Sequence, residues 1–230
     1  MVAAGFWRRC AAWSLDATLV GMPVALLAWP RARRIAGELG TQYQALLETA
    51  ARSLGDALVS GMPPAAAATQ WLADPALRAA TQSLQHTLFA LAWPPLLGFA
   101  ALGALYHLAF EAAPRQATPG QRALGLRVVD DECARMGHGR ALLRHLAGAL
   151  SWLTLNIGHA LVLLRPDRRA LHDLVAGTRM VQSCADGTPL PTWARAWLGL
   201  QALLLVYATM ACVGYTNRAL QAGLDAALGL

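Results

Sequence analysis

Four apolar stretches, residues 11–29, 87–110, 146–164 and 197–215, approach the roughly 20 residues that a helix needs to cross a bilayer. No other feature constrains the fold as strongly, because backbone in hydrocarbon must satisfy its own hydrogen bonds and only helices or closed barrels do so. Of the 230 residues 56% are hydrophobic and 14% charged, whereas a soluble domain carries about 25% charged residues. The expectation is an all-α integral membrane protein in contact with lipid, with no room for a second soluble domain. All 19 basic residues are arginine. They flank the apolar stretches as topology signals do, so the positive balance does not point to nucleic acid.

Phe6 and Trp7 form an interfacial pair, and Arg8 and Arg9 follow as a cytoplasmic anchor. Asp16 interrupts the apolar run and no small-residue cleavage site follows, so the segment is expected to be a retained span. At helical spacing Arg9 and Asp16 share a face, with Asp16 about 10 Å deeper. A carboxylate there costs roughly 2.5–3.5 kcal/mol unless it faces protein or water. The span is expected to end at Trp29-Pro30. Residues 31–60 then have the three-and-four spacing of an amphipathic helix, stopped by Gly61-Met62-Pro63-Pro64. A second helix starts after Asp74-Pro75 and enters the next span. Residues 31–87 are thus expected to be an extracytoplasmic helical hairpin, either packed on itself or docking a partner.

The second span closes on His107 and Glu111, four apart and able to touch. Thr118 can cap a short helix with Pro119 at its first position. Gly125 then releases the chain into a strand, 126–129, which residues 178–182 could pair. The third apolar stretch, interrupted by Asn156-Ile157-Gly158-His159, decides the topology. As a full crossing it leaves nine arginines inside and ten outside; as a re-entrant hairpin it leaves thirteen inside and six outside. The positive-inside rule therefore favours re-entry. The expected architecture is three spans plus one re-entrant helical hairpin, with a small cytoplasmic β-pairing. It divides as 1–30, 31–87, 88–182 and 183–230, with Trp193, Trp197 and Tyr215 as interfacial anchors of the last span.

Gly5-Phe6-Trp7-Arg8-Arg9 with Ala12 and Asp16, Thr118-Pro119-Gly120 with Gly125-Leu126-Arg127-Val128-Val129, and Leu171-His172-Asp173 with Ala176-Gly177-Thr178 together resemble the RDD family of bacterial inner-membrane proteins. The family is named for one Arg and two Asp, and the resemblance covers roughly residues 5–30 and 103–181. It implies that the signature Arg is Arg9, with Arg8 the alternative, and that the two Asp are Asp16 and Asp173. It also implies a multi-pass inner-membrane location with the N-terminus cytoplasmic, and a transport-like role, since some members have been associated with sodium/proton antiport. The 31–87 insertion and the fourth apolar stretch depart from the compact family pattern.

The sequence thus points to a buried polar cluster of Arg9, Asp16, Asp173 and His172, supported by Glu111, His107, Asn156, His159, Thr118 and Thr178. Two functions fit it. In one, Asp16 and Asp173 bind a cation or proton; in the other, the cluster is a clamp in a non-catalytic subunit that forms a homo-oligomer or recruits a membrane partner through 31–87. The four cysteines are scattered, with no C-x-x-C pair and no His at ligand spacing, so neither disulfide, metal nor cofactor is expected. No nucleophile-base-orienter set is visible, and an enzyme is not expected.

Overall fold

A computed structural model describes residues 2–153 and 157–228 and is mostly helical. The helices are α1 (Phe6–Val59), α2 (Pro64–Ala73), α3 (Pro75–Glu111), α4 (Pro119–Ala123), α5 (His138–Leu153), α6 (Ile157–Leu164), α7 (Leu171–Ala176) and α8 (Thr192–Leu228). The short strands are β1 (Val2–Ala3), β2 (Leu126–Asp130) and β3 (Thr178–Gln182). Among the described residues, α1, α3 and α8 are long and apolar enough to cross a membrane.

Helix α1 does not break at Trp29-Pro30, where the sequence predicted the first span to end, but continues through it to Val59, 54 residues in all. A proline removes one backbone hydrogen bond. Ending the helix would instead leave four carbonyls unpaired. Continuing over Pro30 is the smaller loss, and α3 likewise carries Pro94 and Pro95 inside it. The break at Gly61-Met62-Pro63-Pro64 falls where the sequence places it. Gly61 is left-handed at φ 65°, and Met62 N–H donates to Ala57 C=O at 3.0 Å, the αL helix ending that glycine favours. Asp74 starts α3 by accepting from Ala76 N–H at 2.8 Å. Of the third apolar stretch, the described residues belong to α5, which reaches Leu153, and α6, which begins at Ile157; the expected turn near Asn156 falls partly outside the described residues.

The chain forms two compact units. The first comprises residues 1–25 and 97–200. It contains an antiparallel sheet in the order β1-β3-β2, with Val2 opposite Gln182 and Gln182 opposite Leu126. Its core is rich in alanine, with Ala4, Ala11, Ala12, Ala112, Ala141 and Ala194 closing on Val128, Met136 and Met180. Small side chains let helices approach closely, which brings polar groups on adjoining elements within bonding reach. Trp197, expected at the membrane interface, donates to Ser14 Oγ at 2.9 Å.

The second unit comprises residues 26–96 and 201–230. Here the insertion does not pack only on itself, because the end of α8 joins it. Tyr43 Oη and Thr216 Oγ1 share a hydrogen bond at 2.6 Å, and Tyr215 stacks on Tyr43 with ring centres 6.0 Å apart. A Cβ on Gly223 would stand 2.8 Å from Ala51 Cβ, so glycine there permits this close helix packing.

Candidate functional site

The site lies in the first unit and starts from Asp173, whose side chain is 0% exposed. Asp173 sits in the first turn of α7 and accepts from Ala170 N–H at 3.0 Å, so the carboxylate first serves to start its own helix. Arg9 Nη1 donates to Asp173 Oδ2 at 2.6 Å. The same guanidinium donates to Ala4 C=O at 3.1 Å and Arg168 C=O at 2.7 Å. Arg8 points elsewhere, to the carbonyls of Leu124, Thr188 and Pro189. Of the two arginines, Arg9 is the one that meets the aspartate.

The second oxygen of Asp173 is taken by Arg144 Nη1, a residue the sequence reading did not include. Arg144 also pairs through Nε with Glu111 at 3.3 Å, and Thr178 Oγ1 accepts from it at 3.4 Å. The available signal was its face of α5. Ala141, Arg144, Ala147 and Ser151 recur at three- and four-residue spacing and are all buried. An arginine in a stripe of small residues has space for a guanidinium and no water to solvate it, so it requires a carboxylate.

The electrostatics follow from this pairing. Burial alone would push the Asp173 carboxyl up, but Arg144, His172 and Arg9 outweigh it and hold the group well below the usual carboxylate range. For Arg144 burial opposes the charge, while Asp173 and Glu111 overcome it and hold the pKa above the ordinary arginine value. His172, with Nε2 3.6 Å from Asp173, is pushed down to about 3 by burial first and Arg144 second. At neutral pH it is an uncharged imidazole. His159 lies beside it with ring centres 5.0 Å apart.

Asp16 departs from the expectation. No ion pair joins it to Arg9 among the described residues, so one guanidinium does not hold both aspartates. Asp16 is 1% exposed and accepts from three neutral donors, Tyr106 Oη at 2.6 Å, Thr118 Oγ1 at 2.5 Å and Gly120 N–H at 2.8 Å. The cause is the α4 turn. Thr118 caps α4 reciprocally with Gln121, aiming its hydroxyl and the Gly120 amide at the deep face of α1. A Cβ on Gly120 would stand 2.8 Å from Asp16 Oδ1, so this position excludes any larger residue.

Gln121 links the two halves by donating through Nε2 to Glu111 Oε1 at 2.8 Å. The chain of polar contacts is therefore continuous from Asp16 through Thr118, Gln121, Glu111, Arg144 and Asp173 to Arg9. His107 Nδ1 adds a contact to Glu111 at 3.3 Å. Asn156 lies outside the described residues. Beside this chain a half-open cavity of about 190 Å³ is lined by Asp16, Glu111, His107, His145, His159 and His172 among others. Among the described residues no group of three His, Cys, Asp or Glu side chains is placed to hold a metal ion.

The model of the RDD family matches residues 3–177. A protein of Bacillus subtilis (strain 168), "Uncharacterized protein YxaI", is 31% identical over 88 residues, which are 38% of this chain and 58% of that protein. The chain thus spans under two thirds of that relative. No solved structure matches it.

Proposed function

Since this chain belongs to the RDD family, we propose that it is a multi-pass protein of the bacterial inner membrane that takes part in moving a cation or small solute, with Asp16 as the group that meets it. The observation that carries this reading is the company of Asp16. It is a buried carboxylate whose donors, Tyr106, Thr118 and Gly120, are all neutral, and it stands in the wall of a cavity. Neutral donors stabilise the anion without cancelling it, so a cation or proton entering the cavity is attracted. Asp173 lacks this freedom, because two guanidiniums already neutralise it together with Glu111. A chain with three spans is too short for an inverted-repeat carrier, so transport takes a homo-oligomer.

The topology belonging to this reading keeps the N-terminus, residues 112–145 and residues 165–195 on the cytoplasmic side, with 146–164 re-entering and 31–87 extracytoplasmic. The sheet supports it, since β1, β2 and β3 come from those three regions and hydrogen-bond to one another. A full crossing between β2 and β3 would separate paired strands.

The test is Asp16→Asn in the full chain, followed by cation-dependent pH change in everted membrane vesicles. We expect normal membrane abundance and abolished flux. Wild-type flux from a folded Asp16→Asn protein, or no flux from the wild type, overturns the assignment.

A second reading, a non-catalytic assembly subunit, is favoured by one feature: Arg9, Arg144, Asp173 and Glu111 balance in charge and tie separate elements together, as a structural clamp would. In it the outer helices dock a membrane partner. A heteromeric complex of fixed stoichiometry purified in detergent, without flux, would support it.

A further inference from the structure

The cavity beside Asp16 has a volume of about 190 Å³, the space of about six waters at roughly 30 Å³ each. The charged residues that line it are Asp16, Glu111 and Arg144. Glu111 pairs with Arg144 at 3.3 Å, and Asp173, outside the lining, is matched by Arg9 at 2.6 Å. Asp16 therefore leaves the lining with one net negative charge besides its four histidines. A buried charge requires a partner, and here the match is monovalent.

The oxygens decide which monovalent cation fits. Side-chain oxygens in the lining belong to three residues, Asp16, Glu111 and Gln121. A carboxylate offers about four acceptor positions. At Asp16 three are filled, since Oδ1 accepts from Tyr106 Oη and Gly120 N–H and Oδ2 accepts from Thr118 Oγ1. Glu111 meets Gln121 Nε2, His107 Nδ1 and Arg144 Nε. Gln121 Oε1 accepts from Thr118 N–H at 2.9 Å. Hard metal cations surround themselves with about six to eight oxygens, and a potassium ion that leaves water has its shell replaced by carbonyls. This lining has no such shell to give.

Much of the remaining wall is apolar, with Trp13, Val20 and Phe99 its largest members. A bare ion gains nothing from that wall, whereas a cation that carries its own carbon does. Alkyl groups bury favourably against apolar side chains, and an ammonium is attracted to aromatic rings. One short bond to a carboxylate suffices for an ammonium, and Asp16 has one acceptor position left, on Oδ2. We infer that the cation met by Asp16 is a small alkylammonium ion, a primary amine of about four to six non-hydrogen atoms, and not a metal ion. The inference rests on the assignment of the cation site to Asp16 and names its ligand.

The test uses the full chain in detergent, titrated with n-propylammonium chloride, sodium chloride and n-propanol, and followed by melting temperature. n-Propylammonium should stabilise saturably. Sodium, which has the charge without the carbon, and n-propanol, which has the carbon without the charge, should not. Asp16→Asn should weaken n-propylammonium binding about tenfold or more. Combined Trp13→Leu and Phe99→Leu substitution keeps the wall apolar, with Trp13 48% exposed, and should weaken binding about fivefold; this variant decides the matter if Asp16→Asn does not fold. Sodium saturating at a similar or lower concentration, with its effect lost in Asp16→Asn, overturns the alkylammonium and leaves Asp16 a cation site. No saturable response to n-propylammonium also overturns the inference, and flux in everted vesicles then decides the Asp16 assignment by itself. An equal response to n-propanol, or unchanged affinity in a folded Asp16→Asn or double-variant protein, overturns it as well.

Discussion

Asp16 and Asp173 are buried equally well, at 1% and 0% exposure, yet one is surrounded by hydroxyls and an amide and the other by two guanidiniums. Depth in the fold therefore does not decide what a carboxylate does; the charge of its donors decides it. Where the donors are cations, removing one leaves an unmatched charge in a medium that cannot screen it, and the group becomes structural. Where they are neutral dipoles, as at Asp16, the donors bring no countercharge of their own.

The sharpest break of this contrast is Arg144→Gln. It leaves Asp173 with Arg9 and takes the arginine partner from Glu111, and should cost about 3–5 kcal/mol, read as lost membrane abundance and a collapsed melting transition in detergent. Gly120→Ala should come next, at about 2–3 kcal/mol, because the added methyl meets the Asp16 carboxylate within contact distance; abundance and melting temperature measure it. A third, smaller effect is a slope with pH. His172 has a folded pKa of about 3 against an unfolded value of about 6.5. The unfolded chain binds a proton below pH 6.5 that the folded chain refuses, so this contribution is complete above that pH and is lost as pH falls. Between pH 7 and 5 the loss is about 2 kcal/mol, and melting curves of His172→Gln should be flatter by that amount. Asp173, held below the usual carboxylate range, keeps its own contribution down to about pH 4 and does not add to this slope. The smallest change is Tyr106→Phe, which removes one of three neutral donors to Asp16 and should cost about 1 kcal/mol. If Tyr106→Phe proves as damaging to abundance as Arg144→Gln, the distinction between the two aspartates fails.

Much of this was legible in the sequence. The Arg9–Asp173 pair, the Thr118 cap and the pairing of β2 with β3 follow from short local signals, a motif, an N-cap followed by proline, and two β-branched runs. The partner of Asp16 was not, because helical spacing shows that Arg9 and Asp16 share a face but cannot show which neighbouring turn presses against it. Arg144 was missed for a related reason, since arginines on an amphipathic helix usually reach water and only the small residues around this one indicate otherwise. The two-residue strand β1 is too short to leave any periodicity. The continuation of α1 past Pro30 was hidden by treating proline as a stop, when a long helix loses only one bond there.

The contact between Arg9 and Asp173 joins residues 164 positions apart, and this separation sets a schedule for making the protein. At about 5–20 residues per second, roughly ten to thirty seconds of synthesis separate the arginine from its aspartate. Through that interval the first helix enters the membrane with its signature charge unmatched. Arg9 cannot be locked in place until Asp173 has been made, so products truncated before α7 would lack the carboxylate that holds its guanidinium.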